Sequence, residues 1–140
     1  MKSLMFALLA AMPACVVYES DAPAPVEPVP NYAPAVTWAE AGCYWDAYYG
    51  DYIWYFEAQA DDPNGVYDVV DLWADVYDNA SGQWIDSFQL YPTNDPYTWF
   101  SDWLGSSTYV SCNYYNYVVE FVAYDSYDEY GILDVAPLYY

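Results

Sequence analysis

Histidine is absent from this 140-residue chain, and its only Lys or Arg is Lys2. The 21 Asp and Glu residues give a formal net charge of -20. Nucleic-acid binding depends on cationic side chains that neutralise phosphates, and anionic lipid headgroups would repel the same acidic surface. We therefore expect no nucleic-acid partner, and membrane attachment only through covalently bound acyl chains.

The same absences remove most catalytic chemistry. Without His the chain lacks the usual general base at neutral pH, and Ser–His–Asp and Cys–His arrangements are excluded. It also has no cationic oxyanion clamp after Lys2 and no glycine-rich phosphate loop. The composition does allow glycoside hydrolysis by a pair of carboxylates. With 21 acidic residues, however, two carboxylates near each other would not indicate catalysis. We expect that the protein is not an enzyme and has no organic cofactor.

Long apolar runs are missing too. The apolar stretch at 4–12 is much shorter than the roughly 20 residues of a membrane-spanning helix. It follows Lys2 and precedes the small residue Ala14, which is the order of a cleavable signal peptide. We therefore predict a signal peptide over 1–14 and an exported protein.

The end of this segment reads Met12-Pro13-Ala14-Cys15. It resembles the lipobox of bacterial lipoproteins, with Pro13 as a departure from that motif. The resemblance implies lipidation at Cys15 and a place in the cell envelope, at the outer membrane or cell surface. An ordinary secretory signal, cut after Ala11 or Ala14, is the alternative.

The chain has three Cys, and an odd number in an exported protein leaves one to be explained. If Cys15 carries lipid, Cys43 and Cys112 remain as a pair that would persist as a disulfide in an oxidising compartment. Two buried free thiols are the alternative. The usual zinc ligand sets cannot be assembled from two Cys without His.

Five prolines lie between residues 23 and 34, among Ala and Val. They favour a semi-extended linker over 15–42, in which some twenty residues at about 3.1 Å each would span roughly 60 Å. A proline-rich disordered tail is the alternative. The remaining segment, 43–140, is predicted to be a single domain.

Alternation with period two predicts half-buried strands in that domain. The predicted inward positions are Trp54, Phe56, Ala58 and Ala60, then Val70, Leu72, Ala74 and Val76, and finally Tyr117, Val119, Phe121 and Ala123. Turn signals rich in Asn, Asp, Pro and Gly separate the runs at 61–65, 79–82, 93–96 and 125–131. The pattern predicts an all-β protein, an antiparallel β-sandwich of about seven strands. Residues 97–104 also fit a short helix.

Two segments resemble known modules. The stretch 117–125, Tyr-Val-Val-Glu-Phe-Val-Ala-Tyr-Asp, is similar to the penultimate strand of immunoglobulin-like and fibronectin type III-like domains. The turn Asp62-Pro63-Asn64-Gly65 resembles one found early in bacterial immunoglobulin-like modules. The resemblance implies an immunoglobulin-like sandwich. A Cys43–Cys112 disulfide departs from the antibody pattern, because it would join one end of the sandwich.

Three binding hypotheses follow, and the first is calcium, a hard cation that takes six to eight oxygen ligands. The candidate ligands lie in two loops: Asp61, Asp62 and Asn64, and then Asp125, Asp128 and Glu129. Their spacing matches no EF-hand, and turn formation explains the same residues.

The second hypothesis is carbohydrate binding by Trp73 and Tyr77, which would project from the face opposite Leu72 and Val76. The alternative is that another sheet covers this face, or that its aromatic residues only form cross-strand pairs that stabilise the sheet.

The third, and leading, hypothesis is a structural or protein-contact role in the envelope, with Tyr-rich patches that face an extracellular or envelope partner. Electrostatic complementarity favours a partner with a basic surface. A passive envelope component without a specific ligand is the alternative.

Overall fold

Residues 28–140, which a computed structural model describes, form β-strands joined by turns and two one-turn 3-10 helices, Val66–Asp68 and Gly105–Ser107. The predicted signal peptide, Cys15 and linker residues 15–27 lie outside this range. The nine strands of the described range are β1 (Ala35–Asp46), β2 (Asp51–Asp61), β3 (Val69–Asp78), β4 (Trp84–Gln89), β5 (Tyr91–Pro92), β6 (Thr98–Leu104), β7 (Tyr117–Asp125), β8 (Tyr130–Val135) and β9 (Leu138–Tyr139). Within residues 28–140, no helix has the length and hydrophobicity needed to cross a membrane.

The strands form two sheets. One has five strands in the order β5-β6-β2-β1-β9, and the other has four in the order β4-β3-β7-β8. Neighbouring strands are antiparallel except β1 and β9, which pair in parallel at Gly42 and Cys43. The prediction of an all-β protein built from two packed, mainly antiparallel sheets is confirmed.

The core lies between the inner faces of the two sheets. The alternating residues of β2 from Trp54 to Ala60 are fully buried, and those of β7 from Tyr117 to Ala123 are buried as well. Phe56 stacks on Phe88 of the opposite sheet with ring centroids 4.5 Å apart. The period-two pattern therefore identified these two strands and their inward faces correctly.

Val70 is an exception to the predicted pattern, because it is exposed and Val69 is buried in its place. A register shift between Val69 and Asp71 against β7 is the cause. A bulge adds one residue to one strand and reverses which side chains face the core on its far side. Leu72, Ala74 and Val76 keep their predicted inward positions.

The first strand begins at Ala35, inside the segment predicted to be linker. The prolines stop at Pro34, so the backbone N–H groups that a strand needs are available from residue 35 onward. Pro34 itself is buried, with its carbonyl group against Gly131 of β8. A Cβ at position 131 would lie 2.1 Å from that carbonyl oxygen, so this close approach requires glycine. Of the ambiguous segment 97–104, residues Thr98–Leu104 form a strand, β6, and no helix.

Cys43 and Cys112 form a disulfide with a Cα–Cα distance of 5.9 Å. It joins β1 to the connection between β6 and β7, and both residues belong to the hydrophobic core. The bond lies toward the β1–β2 turn. At the same end, Tyr114 Oη donates a hydrogen bond to Asp78 Oδ2.

Candidate functional site

Three carboxylates converge at the opposite end of the sandwich. One oxygen from each of Asp62, Asp68 and Asp125 lies within 4.8 Å of the other two. Asp62 directly follows β2, Asp68 closes the 3-10 helix before β3, and Asp125 ends β7. We call these three residues the acidic cluster. It brings together both sheets and the connection between them.

The turn after β2 fixes Asp62. Its Oδ1 accepts a hydrogen bond from the Asn64 backbone N–H at 2.6 Å, and its carbonyl oxygen accepts one from Gly65 N–H at 2.9 Å. Gly65 has φ 129°, a backbone conformation that favours glycine. The Asp-Pro-Asn-Gly sequence is thus a turn that presents one carboxylate to the cluster.

Asp125 is held by the β7–β8 turn and by the segment before β1. Its Oδ1 accepts hydrogen bonds from the backbone N–H groups of Tyr127 and Glu129, both at 2.8 Å, and its Oδ2 accepts one from Asn31 Nδ2 at 2.5 Å. Burial raises the pKa of this carboxyl, but these hydrogen bonds outweigh burial and bring its pKa below the usual value. Asp125 is therefore anionic at neutral pH.

Two oxygens at this end have no hydrogen-bond partner among the described residues. Asp62 Oδ2 and Asn31 Oδ1 are both buried and unpaired. Asp62 is 4% exposed and Asp125 is 1% exposed. A buried polar oxygen without a partner is unfavourable, and an anionic one is more so. Residues 28–140 include no Lys, Arg or His to balance this charge.

The structure separates the six residues predicted as metal ligands into two groups. It brings together Asp62 and Asp125, as expected for two loops that meet at one end of a sandwich. The other four lie outside the cluster and are exposed: Asp61, Asn64, Asp128 and Glu129. Two of them have a local role: Asp61 Oδ1 accepts a hydrogen bond from Asp62 N–H, and Asp128 adopts φ 64° in the β7–β8 turn.

Sequence reasoning missed Asp68 and Asn31. Asp68 lies in a short 3-10 helix that carries no periodic signal, and Asn31 lies in a segment assigned to the linker. The Asn64 side chain ties that segment down, since its Nδ2 donates to the Pro30 carbonyl oxygen at 3.0 Å and its Oδ1 accepts from Tyr32 N–H at 2.9 Å. The linker composition gave no sign of these contacts.

A second candidate region is the outer face of the four-stranded sheet, which carries Trp73 and Tyr77. Both side chains are half-buried. Trp73 Nε1 donates to Asp71 Oδ2 at 2.8 Å, and Trp73 lines an open cavity of about 480 Å³ with Asp71, Asp75 and Tyr124. Tyr77 does not line that cavity. Burial and nearby carboxylates raise its pKa.

A row of carboxylates crosses the same outer face. Glu120 of β7 is directly opposite Asp75 of β3 on one side and Asp134 of β8 on the other. Burial raises the pKa of Glu120, and the negative charges of Asp134 and Asp75 raise it further. Ser87 Oγ donates to Asp75 at the edge of the row.

The outer face of the five-stranded sheet is a third candidate region. Paired positions place Trp38, Tyr44, Tyr91, Phe100 and Leu104 on this face, all of them exposed. Glu40, Glu57 and Asp102 lie between them. Tyr55 lies flat over Gly42 and donates from Oη to Glu40 Oε1 at 2.8 Å. We call this surface the aromatic face.

Comparison with known proteins gives no match: the chain fits no protein-family model, no curated protein and no solved structure.

Proposed function

We propose that this chain is an exported, lipid-anchored envelope protein whose immunoglobulin-like domain acts without catalysis, by contact with a protein partner. The aromatic face is the observation that carries the proposal. It is a sheet surface on which Trp38, Tyr44 and Phe100 are 36 to 41% exposed and lie between Glu40, Glu57 and Asp102.

Strand order supports the immunoglobulin-like part of the proposal. In such domains the first, second, fifth and fourth strands form one sheet, and the third, sixth and seventh form the other, to which variable types add further strands. Here β1, β2, β6 and β5 share a sheet, and β4, β3, β7 and β8 share the other. If β4 is the added strand, the two arrangements correspond.

A tyrosine near the start of the penultimate sandwich strand gives further support. In immunoglobulin-like domains such a residue hydrogen-bonds through its hydroxyl to backbone a few residues upstream. Tyr117 begins β7, and its Oη accepts a hydrogen bond from Ser111 N–H at 3.2 Å. Trp54 packs edge-on against Tyr117 with ring centroids 6.2 Å apart.

The chemistry of the aromatic face defines its partner. Trp and Tyr side chains dominate interface hot spots because they bury a large area with few rotatable bonds. The carboxylates among them would repel an acidic surface and attract a basic one. The expected partner therefore presents Lys or Arg around an apolar centre, and its binding weakens as salt rises.

Pull-down from envelope extracts at low and moderate salt tests the proposal. Trp38→Ser and Phe100→Ser should each weaken capture of the partner by about 1 to 2 kcal/mol, a factor of about 5 to 30. Tyr67→Ser is the control, since Tyr67 is exposed and lies in the 3-10 helix, outside the residues that form the aromatic face. If the control reduces capture equally, or if nothing is captured at either salt, the contact role is wrong.

Carbohydrate binding is the second candidate. It is favoured by the cavity beside Trp73, where an aromatic ring and the carboxylates of Asp71 and Asp75 line one open space. Aromatic rings cover the CH groups of sugars, and carboxylates accept their hydroxyl hydrogens. A glycan array without signal would remove this candidate and leave protein contact untouched.

A further inference from the structure

We propose that the acidic cluster is a calcium site, with Asp62, Asp68, Asp125 and the Asn31 side-chain carbonyl as its protein ligands. The site goes beyond the contact role and does not depend on it. The aromatic face belongs to the five-stranded sheet, whereas the cluster lies at one end of the sandwich, so the two functions can be lost separately.

Distance is the first argument for one shared ion. Calcium binds oxygen at 2.3–2.6 Å, so two ligands of one calcium ion lie at most about 5.2 Å apart. The oxygens of the acidic cluster lie within 4.8 Å of one another. The spacing therefore suits one ion in contact with one oxygen of each of the three carboxylates.

The unpaired oxygens are the second and independent argument. Asp62 uses Oδ1 for the turn, which leaves the buried Oδ2 without a partner. Asn31 donates from Nδ2 to Asp125 and leaves its buried Oδ1 unpaired. A carboxylate oxygen and an amide oxygen are both preferred calcium ligands. This end of the protein therefore has two buried oxygens without a hydrogen-bond partner, one on a carboxylate of the acidic cluster and one on the Asn31 amide.

The fixed orientation of Asp125 is the third argument. The backbone N–H groups of Tyr127 and Glu129 and the Asn31 amide all donate to this carboxylate. Hydrogen bonds of this kind orient metal ligands before the ion arrives. Carboxylate and amide oxygens favour a hard cation, and the cluster offers no thiolate or imidazole for zinc or copper.

Calcium at this position would connect four parts of the chain. They are the segment that contains Asn31, the end of β2, the 3-10 helix before β3 and the end of β7. Because Asn31 precedes β1 by only a few residues, the ion would hold the incoming chain against the domain. Its expected effect is greater stability and a stiffer junction at that end.

Thermal unfolding of the purified chain with calcium chloride or with chelator tests the site. Extracellular modules bind calcium with dissociation constants of about 10⁻⁴ to 10⁻³ M. About 10 mM calcium should then raise the ratio of folded to unfolded protein by roughly 10 to 100-fold, and magnesium should do so much less. An unchanged melting temperature, or an equal shift with magnesium, would overturn the proposal.

Asp68→Asn separates calcium binding from general charge screening. Without calcium this variant should be more stable than the native chain, because one of three repelling charges is gone. With calcium the order should reverse, since a ligand has been lost. Asp128→Asn is the matched control: it removes one charge from an exposed residue nearby, outside the cluster, at a φ that Asn tolerates. Equal loss of the calcium shift in both variants would contradict the site.

Terbium luminescence reports on binding without any unfolding. Terbium replaces calcium and emits when aromatic side chains nearby absorb light, and Tyr127 follows Asp125 closely in the chain. We expect emission that calcium displaces, that Asn31→Ala weakens about tenfold in affinity, and that Asp128→Asn leaves unchanged. Terbium emission that calcium does not displace would overturn the assignment.

Discussion

Neutral donors replace cations around the carboxylates of this domain. Tyr55 donates to Glu40, Ser126 donates to Asp68, and Trp73 donates to Asp71. Hydroxyl, amide and indole donors of this kind satisfy carboxylate lone pairs but leave the negative charge in place. Repulsion between carboxylates therefore stays strong wherever two of them face each other across strands.

Glu120 tests the cost of a carboxylate on the outer face of the four-stranded sheet, because burial first, and then the charges of Asp134 and Asp75, raise its pKa. Its raised pKa means that protonation favours the folded state, so the corresponding stability is present at low pH and is lost as pH rises through the folded pKa. Glu120→Gln should therefore raise the free energy of unfolding at pH 7 by about 0.2 to 1 kcal/mol, typical of opposed like charges. Urea unfolding at several pH values measures it.

The gain from Glu120→Gln should vanish below the unfolded pKa, near the ordinary value of 4.5. Glu129→Gln is the control, because Glu129 is exposed in the β7–β8 turn and faces no opposed carboxylate pair across strands. A gain that persists in acid, or an equal gain from the control, would contradict the explanation by burial and repulsion of the Glu120 carboxylate.

At the scale of strands and turns, the sequence predicted which side chains of a strand face the core, because this feature follows from the alternation of apolar and polar residues. The inward faces of β2 and β7 follow from alternation, because each strand has one face on the core and one on solvent. The position of Val70 could not be predicted, since a bulge is set by register against β7 and not by residue type. The helix alternative for 97–104 failed because β6 pairs with both β2 and β5.

The candidate metal site was predictable only in part, because some of its residues lie in segments without a periodic pattern. Asp62 and Asp125 lie at strand ends that a sandwich brings to one edge, and their turn sequences are visible. Asp68 and Asn31 reach the cluster through tertiary contacts of short irregular segments, which leave no periodic signal. An exposed turn residue such as Asp128 is of the same type as a calcium ligand. Its presence is explained instead by the turn, where its φ of 64° suits Asp or Asn.

The disulfide should contribute strongly to the free energy of unfolding. Cys43 and Cys112 are 69 residues apart, and closing a loop of that length stabilises the fold by about 4 kcal/mol in the chain-entropy model. The double variant Cys43→Ala with Cys112→Ala should lose about that amount in urea unfolding. Cys15→Ala, which leaves the pair intact, is the control. A loss below about 1 kcal/mol would show that the loop is already restricted in the unfolded chain.

At the scale of the whole molecule, the one positive charge and the negative charges lie in different parts of the sequence. Lys2 lies in the predicted signal peptide, so the mature chain, linker included, would carry 21 acidic side chains and no Lys, Arg or His. Such a surface would have no electrostatic attraction to anionic headgroups. Stable attachment to a membrane would require two or more acyl chains.

Intact mass of the protein recovered from host membranes tests this anchor. We expect a chain that begins at Cys15, with added acyl mass and with Cys43 and Cys112 oxidised. Cys15→Ser should move the protein to the soluble fraction, whereas Cys112→Ser, which also removes one thiol, should leave it with the membranes. An unmodified chain cut after Ala11 or Ala14 would identify an ordinary secreted protein instead.

The disulfide has a mechanical consequence. When the chain is pulled from its two ends, force passes from β1 through Cys43 to Cys112 and bypasses everything between them. The 69-residue loop that the disulfide joins would stay closed, so roughly 230 Å of chain could not be extended by the force. Among the described residues only 28–42 and 113–140 lie outside the bond and can lengthen, so more than half of the domain stays closed under tension.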